Sequence, residues 1–371
     1  MKLILVCGAR PNFMKVAPLL RAIRERKASG ELPIEPILIH TGQHYDYEMS
    51  QVFFQDLELP QPDVYLGIGS GTHAEQTGKT TIAMEKVLLA RAPDLVVVVG
   101  DVNSTLAAAL AAVKLHIPIA HIEASLRLHD LSMPEEVNRL LTDAISDYLF
   151  TPSPDADESL KKEGIPEERI FLVGNIMADS LVQNKEKAQQ RDIPARFGLE
   201  RNGYAVLTLH RVENVDDQGK LAQILGAVGE VAQRIPVVFP AHPRTQKRLR
   251  EFGSTEPLES ARHRVLTTDR LGYLDFLSLM MNAKFVLTDS GGLQAETTIL
   301  NVPCLTLYPA TAWTVTVTSG TNAVVGVDAE RITAEVDRIL AGKGKKGSCP
   351  ELWDGRTAQR IMEILVRCKG D

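Results

Sequence analysis

The sequence predicts an α/β protein made of two doubly wound domains, and three observations carry that expectation. Short apolar runs alternate with segments of helical periodicity from residue 3 to residue 173. One run, residues 95–99 (LVVVV), is continuously Leu or Val, as a strand covered on both faces requires. The same alternation restarts near residue 205, after a polar stretch. Repeated strand-then-helix order implies right-handed crossovers and parallel sheets.

Residues 3–7 read as the first strand. After Arg10-Pro11-Asn12, the apolar Val16, Leu19, Leu20 and Ile23 fall at i, i+3, i+4 and i+7, one face of a helix. Further strands are expected at 34–40, 95–99, 117–122, 148–151 and 170–173. A helix starts near Pro134, where Pro in the first turn and the Ser132/Glu135 pair fit a capping box. Residues 183–202, QNKEKAQQRDIPARFGLERN, mark the approach to the second unit. Its strands are expected at 205–209, 237–239, 265–267, 285–287, 304–307 and 323–327. Residues 342–347 (GKGKKG) read as a mobile surface loop, and a terminal helix covers about 355–368. The domains are thus expected at 1–173 and 174–354, with 355–371 as a terminal helix. Two such units predict a ligand cleft at their interface.

Composition excludes several classes. Apolar content of 44% and charged content of 24% are those of an ordered globular protein. A net charge of −6 without a basic stripe argues against a nucleic-acid partner. The four cysteines, Cys7, Cys304, Cys349 and Cys368, form no CxxC pair and read as reduced thiols of a cytoplasmic protein. Residues 3–6 are too short for a signal peptide, since Arg10 follows at once. No segment approaches the roughly 18 apolar residues of a membrane span.

Polar residues gather where strands end. Residues 121–139, HIEASLRLHDLSMPEEVNR, follow the run at 117–120 and place His121 and Glu123 two residues apart, on one side of an extended chain. A carboxylate at a buried strand end must be paired or line a cleft. Glu135 reads equally well as a helix cap. Asp101, in Gly100-Asp-Val-Asn-Ser-Thr105, stands at the same sheet edge as Glu123, again with capping as the plain alternative. In the loop after the first strand, Arg10 and Lys15 can reach a diphosphate, Arg by its planar fork and Lys as a point charge. In the second half a strand runs into Ser290-Gly291-Gly292 and a helix begins. The free amides and the dipole there favour a phosphate, and Glu296 can accept from ribose hydroxyls. His210-Arg211 and His242-Pro243-Arg244 follow two other strand ends.

Three look-alikes fail. Gly78-Lys79-Thr80 resembles the end of a P-loop, but His73 stands where its first glycine belongs. His121-Ile-Glu123 resembles half of a deaminase zinc motif whose PCxxC half is missing. No GxGxxG follows the first strand, which argues against a nicotinamide cofactor. No metal and no cofactor are expected.

Taken in order, GARPNFMK, TGQH, GSGTHAEQT, GDVNST, HIEASLR, PEEVNR, LHRVEN and TDSGGLQAET resemble the non-hydrolysing UDP-N-acetylglucosamine 2-epimerases, from about residue 3 to residue 327. The resemblance implies two Rossmann-like domains facing a cleft in the glycosyltransferase-B architecture. It also implies a homodimer, a last helix returning to the first domain and a place in cell-surface polysaccharide biosynthesis. By resemblance, Asp101, Glu123, Glu135 and His210 match catalytic positions. Arg10, Lys15, Ser290, Gly291, Gly292 and Glu296 match UDP contacts, and Phe276 the residue beside the uracil. Some bacterial members bind a second UDP-sugar as activator, and Gln43, Glu136, Arg211 and His242 match that site. The chain departs from the pattern at Thr311-Ala312-Trp313-Thr314, where relatives have Thr-Glu-Arg-Pro. It departs also at Tyr308, where arginine is common, and at Ser125, usually glycine.

The C2 proton of the sugar has no adjacent carbonyl, so the family route expels UDP to give a 2-acetamidoglucal and returns it after protonation from the other face. That chemistry needs positive groups at the diphosphate, carboxylates near an oxocarbenium-like centre, and an acid and a base at C2. A hydrolysing epimerase, an epimerase of a related nucleotide sugar, a glycosyltransferase of the same architecture and a nucleotide-sugar sensor all stay open at this point.

Overall fold

The computed structural model describes residues 1–28, 30, 34–43, 54–253 and 264–368. The chain forms two compact units, Met1–Gln183 with Glu351–Asp371, and Asn184–Pro350.

The first unit holds β1 (Lys2–Cys7), β2 (Glu35–His40), β3 (Val64–Tyr65), β4 (Leu95–Val99), β5 (Ile119–Ile122), β6 (Tyr148–Thr151) and β7 (Ile170–Leu172). They form one sheet in the order β3-β2-β1-β4-β5-β6-β7. The second unit holds β8 (Ala205–Thr208), β9 (Val237–Pro240), β10 (Val265–Thr268), β11 (Phe285–Thr288), β12 (Cys304–Thr306) and β13 (Asn322–Val324), in the order β10-β9-β8-β11-β12-β13. The paired strands run parallel in both sheets. Both units are Rossmann-like. Each starts in the middle of its sheet, winds to one edge, then crosses to the other side of its first strand. The switch points lie at β1/β4 and β8/β11, where such folds present ligand-binding loops.

The reasons are local. All five residues of β4 are buried, so its unbroken apolar run is a strand between two helical layers. The helix Asn103–Lys114 is rich in alanine. Ala107, Ala108, Ala109, Ala111 and Ala112 are all buried, which lets its neighbours approach closely. The helix His73–Arg91 opens on a capping box, in which Glu75 N–H donates to Thr72 Oγ1 (3.2 Å) and Thr72 N–H to Glu75 Oε2 (3.0 Å). Gly78-Lys79-Thr80 lies inside this helix and forms no phosphate loop.

The terminal helix Thr357–Arg367 belongs to the first unit. Asp179 accepts from its first amides, Thr357 (3.0 Å) and Ala358 (2.8 Å), and Trp353 Nε1 donates to the Pro152 carbonyl (2.8 Å). Gly174, at φ +90°, lies under Leu352, whose carbonyl oxygen would stand 2.1 Å from any added Cβ. The division after Gln183 falls inside the helix Ile176–Arg191, ten residues beyond the sequence-expected 173/174. Residues 342–347 form a surface loop, as expected, and it is held at several points. Lys345 Nζ donates to the Val317 and Asn322 carbonyls, Ser348 N–H to the Ser319 carbonyl (2.9 Å), and Gly347 lies against the Gly320 backbone. A lysine with its ammonium on two carbonyls pins that segment.

Candidate active site

In the first unit the loops after β1, β4 and β5 carry the candidate chemistry. Asn12 accepts at Oδ1 from the amides of Gly8 (3.1 Å) and Ala9 (2.9 Å) and donates from Nδ2 to the Val99 carbonyl (3.0 Å). The first loop is thereby tied to the end of β4. Arg10 begins the helix Arg10–Ala28, and its side chain lies outside the described ones. Lys15 lies further along that helix, 5% exposed, and forms a buried ion pair with Glu123. Its ammonium serves that carboxylate, since a buried cation must be paired.

Gly100 follows β4 at φ +66°. A Cβ there would lie 2.6 Å from Lys15 Nζ and 3.6 Å from Glu123 Oε2, so only glycine leaves room for the pair. Asp101 comes next and is ion-paired with Arg139. The Asp101 carbonyl accepts from Asn138 Nδ2 (2.9 Å).

After β5 the backbone turns left-handed at two non-glycine residues, Glu123 (φ 68°) and Ser125 (φ 71°). Such positions cost about 1–2 kcal/mol each and collect at functional sites. The turn ends the alternation of the strand. His121 and Glu123 do not share a cluster as expected: His121 bonds Asp143, and Glu123 bonds Lys15. Glu123 Oε1 is buried with no hydrogen-bond partner among the described residues.

The two carboxylates are pushed apart. Burial raises the Glu123 carboxyl, more than Lys15 pulls it back, and the Asp101 charge adds to the rise. Burial also acts on Asp101, but there Arg139 and Lys15 outweigh it and hold the carboxyl below its ordinary range. The two shifts run in opposite directions, Glu123 up and Asp101 down, the kind of split that acid–base chemistry uses.

The helix Pro134–Ile145 has Met133 at its N-cap with no side-chain cap bond, so the Ser132/Glu135 capping box is absent. Ser132 bonds Asp130 instead (2.6 Å). Glu135 is partly exposed and has no protein partner among the described residues. Its neighbour Glu136 is fully buried and accepts from Leu128 N–H (3.0 Å), His129 N–H (2.9 Å) and Arg139 (3.0 Å). Glu136 therefore holds the loop before its own helix. Gln43 is also buried, with Oε1 accepting from Ser104 N–H (3.1 Å) and Oγ (2.5 Å). A groove of about 470 Å³ lies nearby, lined by His73, Asn103, Leu131, Pro134 and Asn138 among others. None of Asp101, Glu123 and Glu135 lines it.

In the second unit the loops after β8 and β11 meet. Asp289 is fully buried and accepts from the amides of His210 (3.1 Å) and Arg211 (3.0 Å), and it pairs with His210 Nδ1 (2.8 Å). Burial would raise the Asp289 carboxyl, but His210 and the two amides hold it low. His210 is thus fixed by one nitrogen while the rest of the ring stays half-exposed. Arg211 Nε donates to the Asp289 carbonyl (2.8 Å), and its guanidinium lies 4.2 Å from the Tyr308 ring centroid. His242 caps the helix Pro243–Phe252 by accepting Arg244 N–H at Nδ1 (3.2 Å).

The helix Gly291–Leu300 begins after Ser290 with no side-chain cap, which leaves its first amides for a ligand. Gly291 faces the indole of Trp313, which is 5% exposed and would meet an added Cβ at 3.2 Å. Farther along that helix, Glu296 Oε1 and the hydroxyl of Tyr273 are buried with no hydrogen-bond partner among the described residues. Burial pushes the Glu296 carboxyl up to about 7, against a smaller downward pull from Tyr273. An orphaned buried oxygen is what a site for ligand hydroxyls would offer. Phe276 is half-buried on the helix Tyr273–Met281.

Sequence reasoning left out Asp289, Arg139 and Asn12. Each stands inside a motif already singled out, but its role depends on a partner distant in sequence. Among the described residues no cluster of His, Cys, Asp and Glu could hold a metal, and no helix is long and apolar enough to cross a membrane.

The family model for UDP-N-acetylglucosamine 2-epimerase matches residues 26–366. The chain is 44% identical to the UDP-N-acetylglucosamine 2-epimerase of Methanocaldococcus jannaschii, covering 99% of each chain. It is 40% identical to the UDP-2,3-diacetamido-2,3-dideoxy-D-glucuronate 2-epimerase of Pseudomonas aeruginosa, covering 99% of this chain and 100% of that one. The structure of the Methanocaldococcus jannaschii enzyme in complex with UDP-GlcNAc and UDP superposes with a TM-score of 0.90 at 43% identity, over 99% of this chain and all of that one. That of the Neisseria meningitidis enzyme bound to UDP-GlcNAc gives 0.89 at 30% identity, with the same coverage.

Proposed function

The chain belongs to the UDP-N-acetylglucosamine 2-epimerase family, and from that premise we propose that it interconverts UDP-N-acetylglucosamine and UDP-N-acetylmannosamine without net hydrolysis. In the proposed cycle a base removes the C2 proton. The C2–H electron pair becomes a C1=C2 bond, and the C1–O pair leaves with UDP. A 2-acetamidoglucal and UDP result. UDP oxygen then re-adds to C1 while an acid delivers a proton to the opposite face of C2.

The observation that carries this reading is the pair of carboxylates after the adjacent strands β4 and β5, Asp101 paired with Arg139 and Glu123 with Lys15. Glu123 suits the acid. Asp101, kept ionised, suits stabilisation of the oxocarbenium-like centre, and Glu135, without a protein partner, suits the base. For the nucleotide we assign the amides of Ser290, Gly291 and Gly292 to the diphosphate, Glu296 to the ribose and Phe276 to the uracil. His210, held by Asp289, and Arg10 would meet the leaving charge.

A specific observation favours a second reading, an epimerase of a related UDP-sugar. Trp313 fills space beside Gly291, in the segment Thr311 to Thr314 that departs from the pattern the chain resembles, and the 40%-identical Pseudomonas aeruginosa protein is named for a diacetamido uronate. Proton NMR with UDP-N-acetylglucosamine in heavy water tests the proposal. We expect deuterium at C2 and the anomeric signal of UDP-N-acetylmannosamine. Free N-acetylmannosamine with UDP would show a hydrolysing enzyme, and an unchanged C2 proton would refute epimerisation of this sugar.

A further inference from the structure

We infer that His121 and Asp143 are positioning residues, a buried pair that sets the spacing of the two reactive carboxylates; this rests on the epimerase reading above. His121 is fully buried in β5 and Asp143 is 1% exposed in the helix Pro134–Ile145, so neither touches the substrate. His121 donates from Nε2 to the Gly100 carbonyl (2.8 Å) and from Nδ1 to Asp143 Oδ1 (2.6 Å). The other oxygen of Asp143 accepts from Ser125 N–H (3.0 Å) and pairs with Arg127 (2.6 Å). Arg127 in turn forms two bonds of 2.8 Å with the carboxylate of Glu163.

The two ends of this grip are significant. Gly100 immediately precedes Asp101, and Ser125 follows Glu123 by two residues. One imidazole–carboxylate pair therefore holds both loops, each at a residue of positive φ (66° and 71°). Left-handed turns at non-glycine residues persist only where surrounding bonds over-determine them. Stability alone explains the arrangement poorly. A buried chain of ionisable groups gains little over apolar packing of the same volume once desolvation is counted. What it supplies is a fixed distance, and with it the coupling by which Asp101 helps to raise the Glu123 carboxyl.

Two substitutions separate the halves of the grip. The amide nitrogen of Gln reaches where Nε2 of His121 stands, and that of Asn only where Nδ1 stands. We expect His121→Asn to lower kcat by about 10- to 100-fold, the scale of a misplacement near 1 Å, with UDP affinity unchanged because His121 and Asp143 bond none of the residues assigned to UDP. His121→Gln, which keeps the bond to Gly100, should recover most of that loss at a similar Tm. A purely structural pair gives a different result: kcat per folded molecule equal to wild type in both variants, whatever happens to Tm, and that result overturns the inference. Should His121→Asn not fold, Arg127→Lys loosens Asp143 from its outer end and should cost about three- to tenfold in kcat; an unchanged kcat there overturns the inference as well. The wild-type protein measured alongside keeps the two readings apart. No C2 exchange in wild type removes the epimerase assignment, whereas wild-type turnover with undiminished variants removes only the positioning role.

Discussion

Replacing Glu296 by Gln and measuring UDP affinity between about pH 5.5 and pH 8 tests the nucleotide half of the proposal. Glu296 is 3% exposed, and burial raises its carboxyl from 4.5 to about 7. Because the folded value lies above the unfolded one, the stability contribution is fully present below pH 4.5 and lost as pH rises through about 7. The shift corresponds to about 3 kcal/mol at alkaline pH. Ribose hydroxyls donating to the ionised carboxylate would offset that cost, so UDP should bind with release of a proton from Glu296. If binding returns the group to its ordinary value, affinity at about pH 5.5 falls about 30-fold below that at pH 8, about 2 kcal/mol. The terminal phosphate of UDP titrates near pH 6 itself, so the quantity to read by titration calorimetry is the wild-type slope minus the Glu296→Gln slope. Thermal unfolding without ligand should show the matching pattern, with Glu296→Gln gaining on wild type between about pH 4.5 and pH 7 and keeping that gain above it. Glu296→Ala should weaken UDP binding by about 1–3 kcal/mol. Equal slopes in wild type and Glu296→Gln, or unchanged affinity in Glu296→Ala, would refute the ribose assignment.

Three other outcomes are expected. Glu123→Gln and Glu135→Gln should each lose about 10²-fold or more in turnover, roughly 2.7 kcal/mol, with slower deuterium entry at C2 and UDP affinity nearly unchanged; normal turnover in Glu123→Gln sinks the mechanism, and in Glu135→Gln removes only that residue. Ser125 offsets its left-handed backbone (φ 71°) with a bond from Oγ to the Ala156 carbonyl (2.5 Å), so Ser125→Ala should lose about 1 kcal/mol while Ser125→Gly, free of the strain, stays above it in Tm. Restoring the relatives' pattern with Ala312→Glu, Trp313→Arg and Thr314→Pro together should raise kcat/KM for UDP-N-acetylglucosamine, because Thr314 is the first residue of its helix and tolerates proline; no gain would show the departure to be neutral for this sugar.

Most of the fold was legible because its signals are local. Residues 95–99 and 148–151 were placed as strands by apolar content alone and stand as β4 and β6. The two-residue β3 was missed, since Val64-Tyr65 is too short to show a period. The segment at 342–347 is a loop as expected, but the contacts that hold it are not legible in its composition. Glycine and lysine describe how a chain behaves when nothing holds it, and Lys345 found two carbonyls.

The site was legible as a set of strand ends but not as a set of partnerships. Lys15 and Glu123 are 108 residues apart, and Asp101 and Arg139 are 38 apart. No local pattern says which cation a buried carboxylate takes. Glu135 and Glu136 show the limit most sharply. They are adjacent and chemically identical, yet one has every oxygen occupied by the loop before it and the other has none. Helical geometry decides between them, because neighbouring residues project about 100° apart. One carboxylate turns into the protein, where it must be satisfied by protein donors. The other turns away and has no protein donor among the described residues. The same reasoning divides His121 from Glu123, where a single left-handed residue ends the strand's alternation and sends one side chain to Asp143 and the other to Lys15. Residue type marks where chemistry can happen in this chain; backbone direction, one residue at a time, decides which carboxylates remain available to perform it.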